Sequence, residues 1–164
     1  KRLSDFVRLD KEYEATLTLG ATSDTFDSEG KIEITNSKYQ IPNIKEIETA
    51  LDQFRGGYEQ KAPLFSAKKI KGEKLYDLAR SGKATEEMRP IKHVSIYALH
   101  VSRYAFPLLS LIVRCSSGTY VRSLADDIGR ALGCGAYLTE LRRTKIGTYD
   151  VKNAKQLKDI RPLF

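Results

Sequence analysis

Hydrophobic and polar positions alternate along Tyr13 to Gly20, Y-E-A-T-L-T-L-G, and again along Lys31 to Thr35, K-I-E-I-T. A period of two places alternate side chains on one face, so both stretches predict β-strands. Between them A-T-S-D-T-F-D-S-E-G, Ala21 to Gly30, is rich in turn formers. After Pro42 the period changes. Ile44, Ile47, Leu51 and Phe54 recur every three or four residues, predicting a helix that Gly56 and Gly57 end. Lys61 to Lys83 predicts a short strand, a turn at Lys71 and Gly72, and a short helix stopping at Gly82. From His93 to Ser116 two strands are expected around Pro107, with Leu109, Leu111, Val113 and Cys115 sharing the buried face of a hairpin. Finally Val121, Leu124, Ala125, Ile128 and Leu132 form a helical stripe, with Thr119 as its expected N-cap and Gly133 as its stop. No internal repeat interrupts this order of elements, which predicts an α+β domain built on a largely antiparallel sheet.

Arg122 does not fit the last helix comfortably. It falls in the first turn, where the helix dipole already places partial positive charge and disfavours a cation by about a few tenths of a kcal/mol. On a helical wheel it lies about 100° from Val121, at the border between core and solvent. An anion nearby would account for it. The local option is Asp126 at i,i+4, but an arginine N-terminal to its carboxylate is the weaker orientation and such pairs contribute only about 0.2–0.5 kcal/mol.

Composition narrows the setting. With 164 residues, 41% hydrophobic and 30% charged, the chain can form one domain with a real core. Lys and Arg total 28 against 21 Asp and Glu, a net charge of +7 that favours a polyanionic partner. Two cysteines, Cys115 and Cys134, with only two histidines suggest neither a zinc site nor a disulfide framework; a reducing, cytoplasmic setting is expected. No apolar run approaches the roughly 20 residues that span a bilayer, so no membrane is expected as a partner. The chain opens on Lys1 rather than methionine, as an excised or processed piece of a longer protein would.

Several side chains could carry chemistry. Asp24 and Asp27 in T-S-D-T-F-D could serve as acids, although such clusters more often only close turns. Tyr13 heads a strand, where an aromatic is more often packing than a stacking platform. Lys68, Lys69, Lys71, Lys74, Arg80 and Lys83 are interleaved with Phe65 and Tyr76, and L-R-R-T-K adds Arg142, Arg143 and Lys145. Positive charges among aromatics suit a phosphate backbone with stacked bases.

The stretches K-E-Y-E-A-T-L-T-L-G-A-T-S-D-T-F-D-S-E-G, F-R-G-G-Y-E-Q-K-A-P-L-F-S-A-K-K-I-K-G-E-K-L-Y-D-L-A-R-S-G, R-P-I and C-S-S-G-T-Y-V-R-S-L-A-D-D-I-G-R-A-L-G-C-G-A-Y-L-T-E-L-R-R-T-K-I-G resemble, in order, the bacterial tRNA pseudouridine synthase B family, the tRNA pseudouridine-55 synthases. The resemblance covers most of the chain. It implies the pseudouridine synthase catalytic-domain fold, a mixed and mainly antiparallel sheet flanked by helices. It also implies cofactor-free and metal-free isomerisation of a T-loop uridine in tRNA, in which an aspartate attacks and the detached base rejoins through carbon. The uridine is first flipped from its stack, which requires an aromatic floor and a closed pocket.

On the matching positions, Tyr13 corresponds to the tyrosine that stacks on the flipped uracil, Tyr120 and Leu141 to residues touching the uridine, and Arg122 to the arginine that pairs with the nucleophilic aspartate. Asp27 corresponds to an acid of the active-site region. The nucleophile of the family lies in a G-x-L-D-P motif ahead of the Tyr13 segment, and no L-D-P occurs in these 164 residues. Residues 1–164 are thus expected to form a partial catalytic domain, incomplete at its N-terminus, without the family's small C-terminal RNA-binding domain and inactive alone. A basic thumb-like segment at about 61–89 is expected to grip the T-loop, with K-A-P-L-F-S-A where the family more often has paired prolines. Lys68, Lys69, Lys71, Arg142 and Arg143 are the expected RNA contacts, and the expected state is a monomer. The rival expectation is a tRNA-binding module or tRNA-folding chaperone without turnover.

Overall fold

A computed structural model of the chain describes residues 3–35, 40–66, 68–70 and 72–156, with Leu3 and Lys69 described by their backbone alone. Lys71, expected in a turn and among the RNA contacts, lies outside the described residues, as does the side chain of Lys69. In chain order the elements are α1 (Leu3–Val7), β1 (Lys11–Leu19), β2 (Ala21–Ser23), β3 (Ile32–Ile34), α2 (Ile44–Asp52), β4 (Tyr58–Lys61), β5 (Lys69–Ile70), β6 (Glu73–Lys74), α3 (Leu75–Arg80), β7 (Ile91–Val94), β8 (Ile96–Ala105), β9 (Leu108–Cys115), α4 (Val121–Ala131), β10 (Ala136–Ile146) and β11 (Tyr149–Asp150).

β1 lies at the centre of a five-stranded antiparallel sheet ordered β11-β10-β1-β9-β8. One face is apolar because the alternation places Ala15, Leu17 and Leu19 beside Leu109, Leu111 and Val113, all buried. α4 covers that face with Leu124, Ala125 and Ile128, and α2 adds Ile47 and Leu51 to the same core. The helix lies very close to β10. A Cβ on Gly129 would come within 2.0 Å of the backbone nitrogen of Ala136, so any larger residue there forces helix and strand apart. Asn43 starts α2 with a capping box: its side chain accepts from the Lys45 and Glu46 amides, and the Asn43 amide donates to Glu46 Oε2.

Two expectations need correction, and one strand went unread. His93 does not begin the hairpin; His93 and Val94 belong to β7, which pairs with β4, and the hairpin is Ile96–Ala105 with Leu108–Cys115. Thr119 does not cap α4. Tyr120 is the N-cap residue and makes no side-chain capping bond, while Thr119 Oγ1 donates to the Ser116 carbonyl at 2.9 Å and closes the preceding turn. Also, the L-R-R-T-K cluster is part of the eleven-residue strand β10, whose mixed charges concealed a strand that runs the length of β1.

Candidate active site

The turn-rich loop after β2 closes through Asp24, whose Oδ1 accepts from the Lys31 amide at 2.8 Å. Asp24 therefore has a turn-forming role. Asp27 points elsewhere. Phe26 before it has φ 66°, a left-handed conformation that a bulky residue rarely adopts, and its carbonyl accepts from the Leu138 amide of β10 at 2.9 Å. That bond and the bridge between Asp27 and Leu138 place the carboxylate at the edge of the sheet, beside the start of α4. Thr25 Oγ1 donates to Asp27 Oδ1 at 2.6 Å, and the Glu29 amide donates to the same oxygen at 3.1 Å.

Asp27 Oδ2 is the anion that Arg122 meets: Nη1 donates to it at 2.9 Å, and Nη2 donates to the Phe65 carbonyl at 2.6 Å. Arg122 is therefore paired within this chain, with an anion the sequence placed in a turn-forming stretch. Asp126 is not its partner; Asp126 is buried and accepts from Arg130 at 2.8 Å, the favoured carboxylate-first orientation.

These groups line a cavity of about 400 Å³ whose walls include Tyr13, Asp27, Tyr120, Arg122 and Leu141, together with Thr139 and Glu140. All five side chains expected at the uridine site are thus brought together. β1 presents half-buried Tyr13 on the same face as Ala15, and β10 presents Leu141 directly opposite Ala15. Burial, with a contribution from Cys115, pushes the Tyr13 hydroxyl above its ordinary range, and its cross-strand partner Arg143 pulls it back. The ring is a neutral phenol with an arginine at its margin.

The basic groups are distributed unevenly. Lys68, Lys74, Arg80 and Lys83 are exposed, and none takes part in a salt bridge among the described residues. Tyr76 packs edge-on against Phe65, with the Arg80 guanidinium 4.7 Å from its ring centre. Arg142 and Arg143 separate: the strand turns Arg143 toward Tyr13 and Arg142 toward Glu14 on the opposite face. The Phe65 carbonyl and Glu140 are site groups that the sequence did not single out. A backbone acceptor leaves no mark on residue type, and Glu140 becomes legible only once β10 is recognised as a strand. No group of His, Cys, Asp and Glu able to hold a metal occurs among the described residues. No helix among them is long and apolar enough to cross a membrane.

The family profile described as TruB family pseudouridylate synthase (N terminal domain) matches residues 1–121, and that of the tRNA pseudouridylate synthase B C-terminal domain matches residues 122–163. The chain belongs to the TruB family. Curated relatives named tRNA pseudouridine synthase B include that of Chlamydia pneumoniae, 44% identical over 153 residues, and that of Chlamydia abortus, 46% identical over 151 residues. Each match covers 92% of this chain but 62% of the relative, so the chain spans a little under two thirds of their length. Among solved structures, a Cbf5-Nop10-Gar1 complex matches with TM-score 0.64 and 25% identity over 92% of this chain and 34% of that one. An H/ACA RNP bound to a substrate RNA containing 2'-deoxyuridine shares the fold at TM-score 0.59 and 21% identity, over 91% of this chain and 32% of that one. The boundary between the two TruB profiles falls inside the first turn of α4, and β10 from the second pairs along β1 from the first. The two matches form one sheet.

Proposed function

We propose that these residues form the greater part of the catalytic domain of a tRNA pseudouridine synthase, an isomerase that converts a T-loop uridine to pseudouridine. The observation that carries this reading is the convergence of Tyr13, Asp27, Tyr120, Arg122 and Leu141 on one cavity. The flipped uracil stacks on the Tyr13 ring, between Tyr120 and Leu141. The nucleophilic aspartate comes from a G-x-L-D-P segment ahead of Lys1, and Arg122 holds it. Two of the five guanidinium N–H donors serve Asp27 and the Phe65 carbonyl, which leaves donors for a second carboxylate. Asp27 orients the guanidinium. The nucleophilic aspartate attacks, the bond between N1 and C1′ breaks and the base turns; a bond then forms between C5 and C1′ as the aspartate is released as a carboxylate, C5 gives its proton to a base and N1 takes one up, so product and substrate are isomers. This chemistry consumes no redox equivalents and calls for no cofactor.

The exposed cations of residues 61–89, with Arg143 at the cavity margin, suit the phosphates of a T-arm. tRNA is thus the partner we propose, bound by a cytoplasmic monomer. Tritium release from carbon-5 of labelled uridine in tRNA tests the reading. The chain should bind a T-arm stem-loop with steep salt dependence and no turnover, and adding the G-x-L-D-P segment ahead of Lys1 should create turnover. Turnover without that segment, or none with it, overturns the proposal; binding with no turnover in either chain favours a tRNA-binding module.

A further inference from the structure

Gln60, next to the last residue of β4, is 2% exposed. A buried amide is costly unless every polar atom is bonded, and this one is placed to satisfy another residue's backbone. Its Oε1 accepts from the Tyr120 amide at 2.8 Å, and its Nε2 donates to the Tyr120 carbonyl at 3.1 Å and to the Tyr58 hydroxyl oxygen at 2.7 Å. One side-chain amide therefore engages both backbone groups of a single residue, as a neighbouring strand would. The Tyr58 hydroxyl in turn donates to Asp127 Oδ2 at 2.9 Å, in the second turn of α4. Burial, reinforced by the charge of Asp127, pushes the Tyr58 hydroxyl upward and keeps it a donor.

We infer that Gln60 is a positioning residue that sets Tyr120 and the start of α4 against the uridine cavity; this rests on the reading of that cavity as the uridine site. α4 begins at Tyr120 without a side-chain cap, so its first residues lack the usual anchor. Gln60 instead holds the N-cap residue itself, by both its backbone N–H and its C=O. The chain entering α4 delivers Tyr120 to the cavity wall and, two residues later, Arg122 to Asp27. Gln60 also immediately precedes the 61–89 segment, whose Phe65 carbonyl Arg122 holds. The amide thus sits where the grip on RNA meets the wall of the pocket. Packing alone would be served by an apolar residue of the same length; what the amide adds is a fixed direction for the Tyr120 backbone.

The test compares the parent, Gln60→Met and Tyr58→Phe in the chain extended by the G-x-L-D-P segment. Single-turnover rates at saturating tRNA, dissociation constants for a T-arm stem-loop and melting curves are measured for each. Gln60→Met keeps the length of the side chain and removes all three bonds; because a small displacement of positioned groups costs rate steeply, a loss of at least about tenfold is expected, with affinity within about twofold. Tyr58→Phe removes only the far anchor and serves if Gln60→Met does not fold; it should lose about threefold in rate, again with affinity kept. Parental rates in the variants, or losses of rate matched by equal losses of affinity, overturn the inference alone. A parent without turnover overturns the functional reading and the inference with it.

Discussion

The framework of the cavity and the segment beside it are built differently. Tyr13, Tyr120, Arg122 and Leu141 lie on or at the end of β1, α4 and β10, elements of nine or eleven residues with one face in the core. Among the described residues, 61–89 contain two strands of two residues each, a helix of six whose N-cap Lys74 makes no side-chain bond, and a 3₁₀ turn at Glu86–Met88. Among the same residues, the fastenings of this segment include buried Ala62, Ser66 and Leu75 and three bonds. Ala62 donates to the Pro90 carbonyl at 3.0 Å, Arg89 Nε donates to the Ala62 carbonyl at 2.8 Å, and Arg122 reaches the Phe65 carbonyl. The Arg89 guanidinium also lies 4.9 Å from the centre of the Phe26 ring, directly before Asp27. Elements anchored in the core carry the groups that line the cavity, while the 61–89 segment presents exposed charges. Rate and affinity should therefore respond to different substitutions.

The largest effects belong to the framework. In the chain extended by the G-x-L-D-P segment, Arg122→Lys keeps the charge but loses the planar fork that reaches Asp27 and the Phe65 carbonyl together. The single-turnover rate should fall at least about a hundredfold, as positioned groups do when displaced. Tyr13→Leu should abolish turnover. For both, T-arm affinity should remain within about tenfold, or about 1.4 kcal/mol; a larger loss of binding would erase the distinction between the two regions.

Next comes the fastening itself. Arg89→Met leaves the Ala62 carbonyl without its charged donor and removes the contact with Phe26, so urea unfolding should show a loss of about 1.5–3 kcal/mol. T-arm affinity should fall in the same variant because the arm is released. Unchanged affinity would mean that the arm needs no such anchor.

The sequence disclosed the framework wherever a period was strict. Leu109, Leu111, Val113 and Cys115 alternate, and Val121, Leu124, Ala125 and Ile128 repeat helically; both faces are buried as expected. β10 escaped because E-L-R-R-T-K carries polar groups on both faces, one turned to the cavity and the other to Glu12 and Glu14. Within the site, the residues named through the family resemblance converge, whereas the bonds that hold them do not show in residue type. Asp24 and Asp27 stand three apart in one turn-forming stretch, and only the left-handed Phe26 directs the second of them to Arg122. Gln60 escaped for a similar reason: nothing local distinguishes a buried glutamine that caps a distant backbone from an exposed one on a strand.

A smaller effect divides the basic residues. Removal of one phosphate contact lowers the slope of log affinity against log salt by about 0.7–0.9. Lys68→Ala, Arg80→Ala and Arg143→Ala should each do so. Arg142→Ala should not, because Arg142 lies on the sheet face opposite Tyr13. Titration of T-arm binding at several salt concentrations checks this, and a slope change for Arg142 equal to that for Arg143 would show that RNA wraps both faces.

The smallest effect lies inside the framework and tests whether its polar anchors are tuned for stability. Burial pushes the Asp127 carboxyl upward, against the bond donated by Tyr58, and Asp126 beside it moves the same way for the same reason. A carboxyl raised on folding binds its proton more tightly in the native state. Its contribution to stability is complete below the ordinary carboxylate range and is lost as pH rises through the raised value. Most acid-sensitive carboxylates show the opposite trend. Asp127→Asn keeps an oxygen that accepts from Tyr58 and removes the titration. Its stability relative to the parent should therefore improve from about pH 4 upward and level off above the raised value. Urea unfolding of both proteins at steps from about pH 4 to about pH 8 measures that difference. A difference independent of pH, or one that shrinks as pH rises, would mean that solvent reaches Asp127 freely and that the bond from Tyr58 is an exposed one.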